Sequence, residues 1–150
     1  MYNGGYLISQ IHKLTGRKIN KLLKEANVSE FNGSQGIILS SLWAKGKQTI
    51  KEIGKTTGLA KASLSSMLNR MENQNLIKKI ENKEDGRSTI ICLTKKSKAL
   101  EKVYKNITDE MIVQYYNGFS KEEIRTFELT LERVIKNLEG KSNGEWENTD

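Results

Sequence analysis

The stretch from Thr49 to Thr94, TIKEIGKTTGLAKASLSSMLNRMENQNLIKKIENKEDGRSTIICLT, constrains the chain most. It reads as a helix, a tight turn, a second helix, and a hairpin with a basic tip. Thr49 with Glu52 three residues on is a capping box, in which hydroxyl and carboxylate each satisfy an orphan amide. Ile50 and Ile53 supply the buried side of this first helix. Gly58 stands where a left-handed residue ends the helix and turns the chain, and Leu59 plugs the corner.

The second helix spans Lys61 to about Gln74. Leu64, Leu68 and Met71 are spaced i, i+4, i+7 and share one face, with Met67 at its edge. The opposite face carries Ala62, Ser66, Asn69 and Asn73, flanked by Ser65 and Arg70, with Lys61 and Ser63 in the first turn. Such a face is ordinary as a solvated surface. After a helix-turn-helix it suits a groove-reading helix, because short side chains admit close approach and Ser and Asn pair with base edges.

Beyond Leu76 the pattern changes. Ile77–Glu81 and Ser88–Leu93 are rich in Ile and Thr, which favours strands. Between them lies NKEDGR, whose Asp85-Gly86 is a hairpin signal. Arg87 closes the tip and Lys83 flanks it. A surface hairpin with arbitrary charges is the bland reading. A wing that reaches the groove beside the recognition helix is the functional one, with Asp85 orienting the Arg87 guanidinium.

Here the residues resemble a family. The helix-turn-helix, Asn69-Arg70-Met71-Glu72, Leu76-Ile77, Asp85-Gly86-Arg87 and Leu93-Thr94, in that order, are similar to the MarR family of bacterial winged-helix regulators. In that family the wing carries Asp-x-Arg, followed seven residues later by the Thr of a Leu-Thr pair that starts the next helix. Asp85, Arg87 and Thr94 hold that spacing, and the resemblance covers nearly the whole chain. Two positions depart from it. The family usually has Gly where Ser97 stands, a change expected to leave the helix start unaffected. Many members carry a long polar or basic side chain where Ser66 stands, so base reading there is weaker or indirect.

The charge distribution agrees. The 150 residues carry a net +7, and between Lys45 and Lys98 thirteen Lys and Arg face five acids, a net +8. Residues 1–44 carry +3 and residues 99–150 carry −4. Positive charge concentrated on the helix-turn-helix and hairpin is the footprint of a phosphate backbone. No amphipathic helix with large aromatic anchors points to a membrane partner. The apolar fraction of 36% fits a globular chain, with no apolar run long enough to span a bilayer. The N-terminal residues lack the pattern of a secretory signal, and a cytoplasmic location is expected.

Residues 5–26 read as a long helix striped by Leu7, Ile8, Ile11, Leu14, Ile19, Leu22 and Leu23, more apolar length than a small domain needs. His12 within it is read as a partly buried, hydrogen-bonded side chain rather than a ligand. Val28–Asn32 connects to a helix over Ser34–Lys45, with Ile37, Ile38, Leu42 and Trp43 buried and Gly46 at its end. Trp43 is read as core ahead of a stacking platform. Cys92, the sole cysteine, allows no internal disulfide and reads as a small core residue. Some MarR members sense oxidants through an N-terminal cysteine, which this chain does not have.

Thr94 caps a helix expected to run unbroken to about Asn117, striped by Leu100, Val103, Ile107, Met111 and Tyr115. Gly118 ends it. Ser120 and Glu123 open the last helix with another capping box, striped by Ile124, Phe127, Leu131, Val134, Ile135 and Leu138. The expected fold is mainly α with a small β-hairpin wing: a winged helix-turn-helix over 33–94, flanked by dimerisation helices over 5–32 and 95–139. Residues 1–140 read as one domain and 141–150 as a disordered tail. The surplus apolar faces of the terminal helices point to a homodimer, and the resemblance implies the same.

No phosphate-binding Gly-rich motif, metal-ligand spacing or nucleophile pair is present, so no enzyme, metal or cofactor is expected. Three readings stay open. The first is a MarR-type regulator, a ligand-responsive repressor of double-stranded DNA sites. The second is a winged-helix DNA-binding protein without a ligand, acting in architecture or replication, and the third a winged-helix protein-interaction module. For the first, the expected DNA-contacting residues are Lys61, Ala62, Ser63, Ser65, Ser66, Asn69, Arg70, Lys83, Asp85 and Arg87. His12, Thr15, Arg17 and Trp43 are candidate lining for a small aromatic or anionic effector, with Arg17 pairing a carboxylate and Trp43 as an apolar wall.

Overall fold

A computed structural model describes residues 1–142. In chain order it comprises α1 (Gly4–Glu25), α2 (Gly33–Lys45), β1 (Gln48–Thr49), α3 (Ile50–Thr57), α4 (Lys61–Asn73), β2 (Ile77–Glu81), β3 (Thr89–Leu93), α5 (Lys95–Lys98), α6 (Glu101–Tyr115) and α7 (Lys121–Ser142). The chain divides into two compact units, Met1–Met111 and Ile112 onward. The expected disordered tail over 141–150 lies outside the described residues from 143 on, and α7 runs two residues into it.

In the first unit the core gathers Leu23, Phe31, Ile38, Leu39, Leu42, Ile53, Leu64, Leu68, Met71, Leu76, Ile77, Ile91, Tyr104 and Ile107. Helix α2 is its centre. Asn32 caps it in a reciprocal box with Gln35, and the Asn20 Oδ1 of α1 accepts the Gly33 N–H at 2.8 Å. The exposed stripe of α2 is narrow and runs through Ser34, Ile37, Ser40 and Ala44. Ile37, expected inside, is exposed, while Leu39 is fully buried. Tyr104 lies so close that a Cβ on Gly36 would sit 2.6 Å from its Cε2. Glycine is what lets that ring in, because overfilled cores strain.

The expected hairpin of β2 and β3 is present, and a short β1 extends it to a three-stranded sheet in the order β1-β3-β2. β2 and β3 pair antiparallel, Ile77 opposite Leu93 through Glu81 opposite Thr89. The extra strand is two residues long, with Gln48 and Thr49 opposite Ile91 and Ile90. Cys92 is half-buried rather than in the core.

The helix expected to run from Thr94 to Asn117 is broken. The Ser97 carbonyl accepts the Leu100 N–H at 3.1 Å, a tightened 3₁₀-type turn, and also the Trp43 indole N–H at 3.0 Å. The α-helical ladder resumes with Tyr104 N–H on the Leu100 carbonyl at 3.1 Å. Ser97 is not a neutral replacement. It is fully buried and completes the capping box, its Oγ accepting the Thr94 N–H at 3.0 Å while Thr94 Oγ1 accepts the Ser97 N–H at 3.2 Å.

Helix α1 buries only its C-terminal part. Leu23 is in the core, with Ile19 and Leu22 against it. Tyr6, Leu7, Ile8 and Leu14 are exposed. His12 is also exposed, against the partly buried position expected for it.

The second unit holds the end of α6, the Gly118 turn (φ 83°) and α7. Glu123 Oε2 accepts the Ser120 N–H at 2.7 Å, and Ser120 Oγ the Glu123 N–H at 3.1 Å. Tyr115, Tyr116, Phe119 and Phe127 cluster with ring centroids 4.9–6.5 Å apart. Ile112, Val113, Leu129, Val134, Ile135 and Leu138 remain exposed.

Candidate nucleic-acid interface

The α3–α4 corner follows from local chemistry. The Thr49–Glu52 box starts α3. Gly58 ends it at φ 71°, ψ 8°, a left-handed position that Gly adopts without penalty. Leu59 packs on the core, and Leu64, Leu68 and Met71 bury one face of α4. The opposite face then points outward by helical period alone. Lys61, Ala62, Ser63, Ser66, Asn69 and Arg70 are exposed on it and Ser65 is half-buried. The N-cap is Ala60, which offers no side-chain acceptor, so the first-turn amides of α4 are left for solvent or an anion.

The far end of α4 is held by its own cap and by two other elements, α5 with its N-cap and α2. Leu76 N–H bonds back to the Met71 carbonyl at 2.9 Å across Asn75, whose φ is 59°, the six-to-one bond of a Schellman cap. Thr94 Oγ1 donates to the Asn75 carbonyl at 2.8 Å, and Lys96 Nζ to that of Gln74 at 3.1 Å. Gln35 of α2 donates through Nε2 to Gln74 Oε1 at 2.8 Å. These bonds fix the position of the α4 backbone at its C-terminal end.

At the wing, Asn82 Nδ2 donates to Ser88 Oγ at 2.8 Å across the base of the tip. Asp85 Oδ1 accepts the backbone N–H of Arg87 at 3.0 Å, and the Asp85 carbonyl that of Ser88 at 3.1 Å. Asp85 therefore shapes the loop backbone, where it was expected to orient the guanidinium. Among the described residues no ion pair joins the two side chains. Lys83, Asp85 and Arg87 are all exposed.

Sequence reasoning missed Lys79. Its side chain shares a strand face with buried Ile77 and so points toward α4. Its ammonium donates to Asn69 Oδ1 and lies 3.8 Å from Glu72 Oε1. The available signal was strand alternation from Ile77, but the partner on another element was not legible.

The four effector candidates divide. His12 and Arg17 are exposed on α1 and Thr15 is half-buried. Thr15 and Arg17, two residues apart, project about 200° from each other. Trp43 sits between Phe31 and Tyr104, with centroids 6.3 and 5.4 Å away. Its N–H is taken by the Ser97 carbonyl, so only a ring face is left to offer a ligand. Among the described residues no group of three or more His, Cys, Asp and Glu is placed to hold a metal, and no helix is long and apolar enough to cross a membrane.

Comparison with known proteins agrees with this geometry. Residues 31–89 match the model of the MarR family. The HTH-type transcriptional regulator YwhA of Bacillus subtilis is 30% identical over 112 residues, covering 73% of this chain and 80% of that protein. The HTH-type transcriptional regulator MgrA of Staphylococcus aureus is 28% identical over 116 residues, covering 77% and 76%. Among solved structures, MepR of S. aureus in complex with DNA shares the fold at a TM-score of 0.80 and 23% identity, over 91% of this chain and 99% of that one. With the helix-turn-helix, the wing and the Thr94 start all in place, the chain belongs to the MarR family of winged-helix transcriptional regulators.

Proposed function

We propose that this regulator is a sequence-specific binder of double-stranded DNA that acts as a homodimer on a pseudo-palindromic operator and represses transcription there. The carrying observation is the outward face of α4, exposed from Lys61 to Arg70 without an acid, beside a basic wing tip. Lys, Ser and Asn in such a face meet phosphates and base edges in the major groove. Arg87 at the tip suits the minor groove, whose negative potential favours a weakly hydrated guanidinium. The exposed apolar side chains of α1 and α7 support pairing through the N- and C-terminal helices.

Control by a small aromatic or anionic effector is the fuller form of this reading, with His12, Thr15, Arg17 and Trp43 as lining. Such a ligand acts only if it binds the DNA-competent and incompetent states with different affinity. A second reading, DNA binding without an effector, is favoured by two observations. The Trp43 N–H is already engaged, and Thr15 and Arg17 project to opposite sides of α1.

Fluorescence anisotropy on the DNA upstream of the protein's own gene tests both. Affinity at least about 10³-fold above that for a scrambled duplex at physiological salt is expected of a specific regulator. Equal affinity for the two duplexes contradicts it. Titration with small aromatic acids separates the readings: a change in operator affinity supports effector control, and none across the series supports the constitutive one.

A further inference from the structure

The contact between Lys79 and Asn69 links a strand to the centre of the recognition face. A free Asn carboxamide offers one acceptor and one donor side, which match adenine N6–H and N7 as a bidentate pair. Here the oxygen already accepts from the Lys79 ammonium. One of its two lone pairs is taken in this way, and the positive charge beside the other disfavours a second N–H donor there, so Asn69 presents its NH₂ next to a cation with donors only. The Lys79 side chain is 26% exposed, and its ammonium also lies 3.8 Å from Glu72 Oε1. Asn69 and Glu72, three residues apart, lie on one face of α4, so the ammonium is seated between two anchors on the helix.

We infer that Lys79 is a specificity-determining residue: by holding Asn69 Oδ1 it turns an adenine-reading amide into a pair of donors that selects guanine. Guanine offers two acceptors, O6 and N7, on its major-groove edge, while adenine sets an N6–H donor against the same spot. The ammonium repels that donor and welcomes the O6 carbonyl. Lys79 is a positioning residue for Asn69 and also supplies one of the two donors. This inference rests on α4 reading the major groove, as proposed above.

Selection of bound sequences from a randomised duplex library, run with the wild type and with Asn69→Ala, Lys79→Met and Lys79→Arg, tests it. Asn69→Ala marks the base pair read from this position by flattening its preference. The wild type is expected to select guanine there. Lys79→Met is expected to shift the guanine-to-adenine ratio by about tenfold toward adenine, and Lys79→Arg to retain guanine. Thermal melting of each variant near the wild-type temperature confirms that the shift is not a folding defect. Adenine at that position in the wild type overturns the inference. So does a Lys79→Met variant whose affinity falls equally for every sequence, with a shallower salt dependence, since that marks a plain phosphate contact. Both of those results leave the operator-binding reading standing. A wild-type protein that enriches no sequence at all overturns that reading and this inference with it.

Discussion

The indole Nε1 of Trp43 donates to the backbone carbonyl of Ser97 at 3.0 Å, joining α2 to the turn between α5 and α6. The ring also closes an aromatic group with Phe31 and Tyr104. Trp43→Phe keeps much of the packing and loses the bond. It is expected to lower stability by about 1–3 kcal/mol, from the lost hydrogen bond and the vacated ring volume. A urea titration checks this: the midpoint should fall with an unchanged slope. An unchanged midpoint contradicts the structural role assigned to the indole.

Thr94 and Ser97 act as one device. Thr94 caps α5 and also donates to the Asn75 carbonyl at the end of α4. Thr94→Val conserves shape and removes both functions, with an expected loss of about 1–3 kcal/mol. Ser97→Ala removes the reciprocal half of the box and the Ser97 O–H donation to the Thr94 carbonyl at 3.1 Å, but leaves the Thr94 bond to Asn75, and is expected to cost less, about 0.5–1.5 kcal/mol. Chemical denaturation of the two variants and the double variant measures the coupling. Additive losses contradict a shared cap.

The wing separates loop shape from loop contact. Arg87 is exposed at the tip with its backbone amide held by Asp85 Oδ1. Arg87→Ala is expected to weaken operator binding by about 1–3 kcal/mol while leaving thermal unfolding in place. Asp85→Ala is expected to weaken binding too, through a loosened tip, although it removes a negative charge. If electrostatics alone governed the wing, Asp85→Ala would strengthen binding, and anisotropy titration of both variants distinguishes the two outcomes.

Partial burial, and then the hydrogen bond to Glu128, push the Tyr116 phenol up to about 12. Its O–H donates to Glu128 Oε1 at 2.8 Å. The folded chain therefore keeps this proton in a range where an unfolded tyrosine, with a pKa near 10, has lost it. The contribution is complete below about pH 10 and is lost as the pH rises toward about 12. The stability difference between wild type and Tyr116→Phe, followed by urea midpoints, is expected to narrow across that window. A constant difference contradicts the assignment.

What was legible in the sequence was local. The boxes at Thr49–Glu52 and Ser120–Glu123 need only a three-residue spacing, and both are present. The buried face of α4 needs only a helical period, and Leu64, Leu68 and Met71 hold it. What was not legible depended on partners distant in sequence. Tyr104 is buried because Gly36 leaves room for its ring. The break after α5 depends partly on the Trp43 indole. Ile37 misled because it is an apolar residue on the exposed stripe of α2, which runs through Ser34, Ile37, Ser40 and Ala44. Strand β1 has two residues and pairs with β3 from more than 40 positions away. At the interface, the exposed residues of α4 were readable one by one, whereas the Lys79–Asn69 contact joins a strand to a helix and neither residue type announces it.

A hydroxyl-radical footprint of the protein on the DNA upstream of its own gene tests the central claim most directly. Two recognition helices on a symmetric dimer should protect two patches related by a dyad, centred about one helical turn, or 10 base pairs, apart on one face of the duplex. Weaker minor-groove protection where the wings carry Arg87 is expected beside each patch. A single protected patch, or protection without dyad symmetry, contradicts the dimer on an operator, and no protection at concentrations that saturate the anisotropy signal contradicts sequence-specific binding itself.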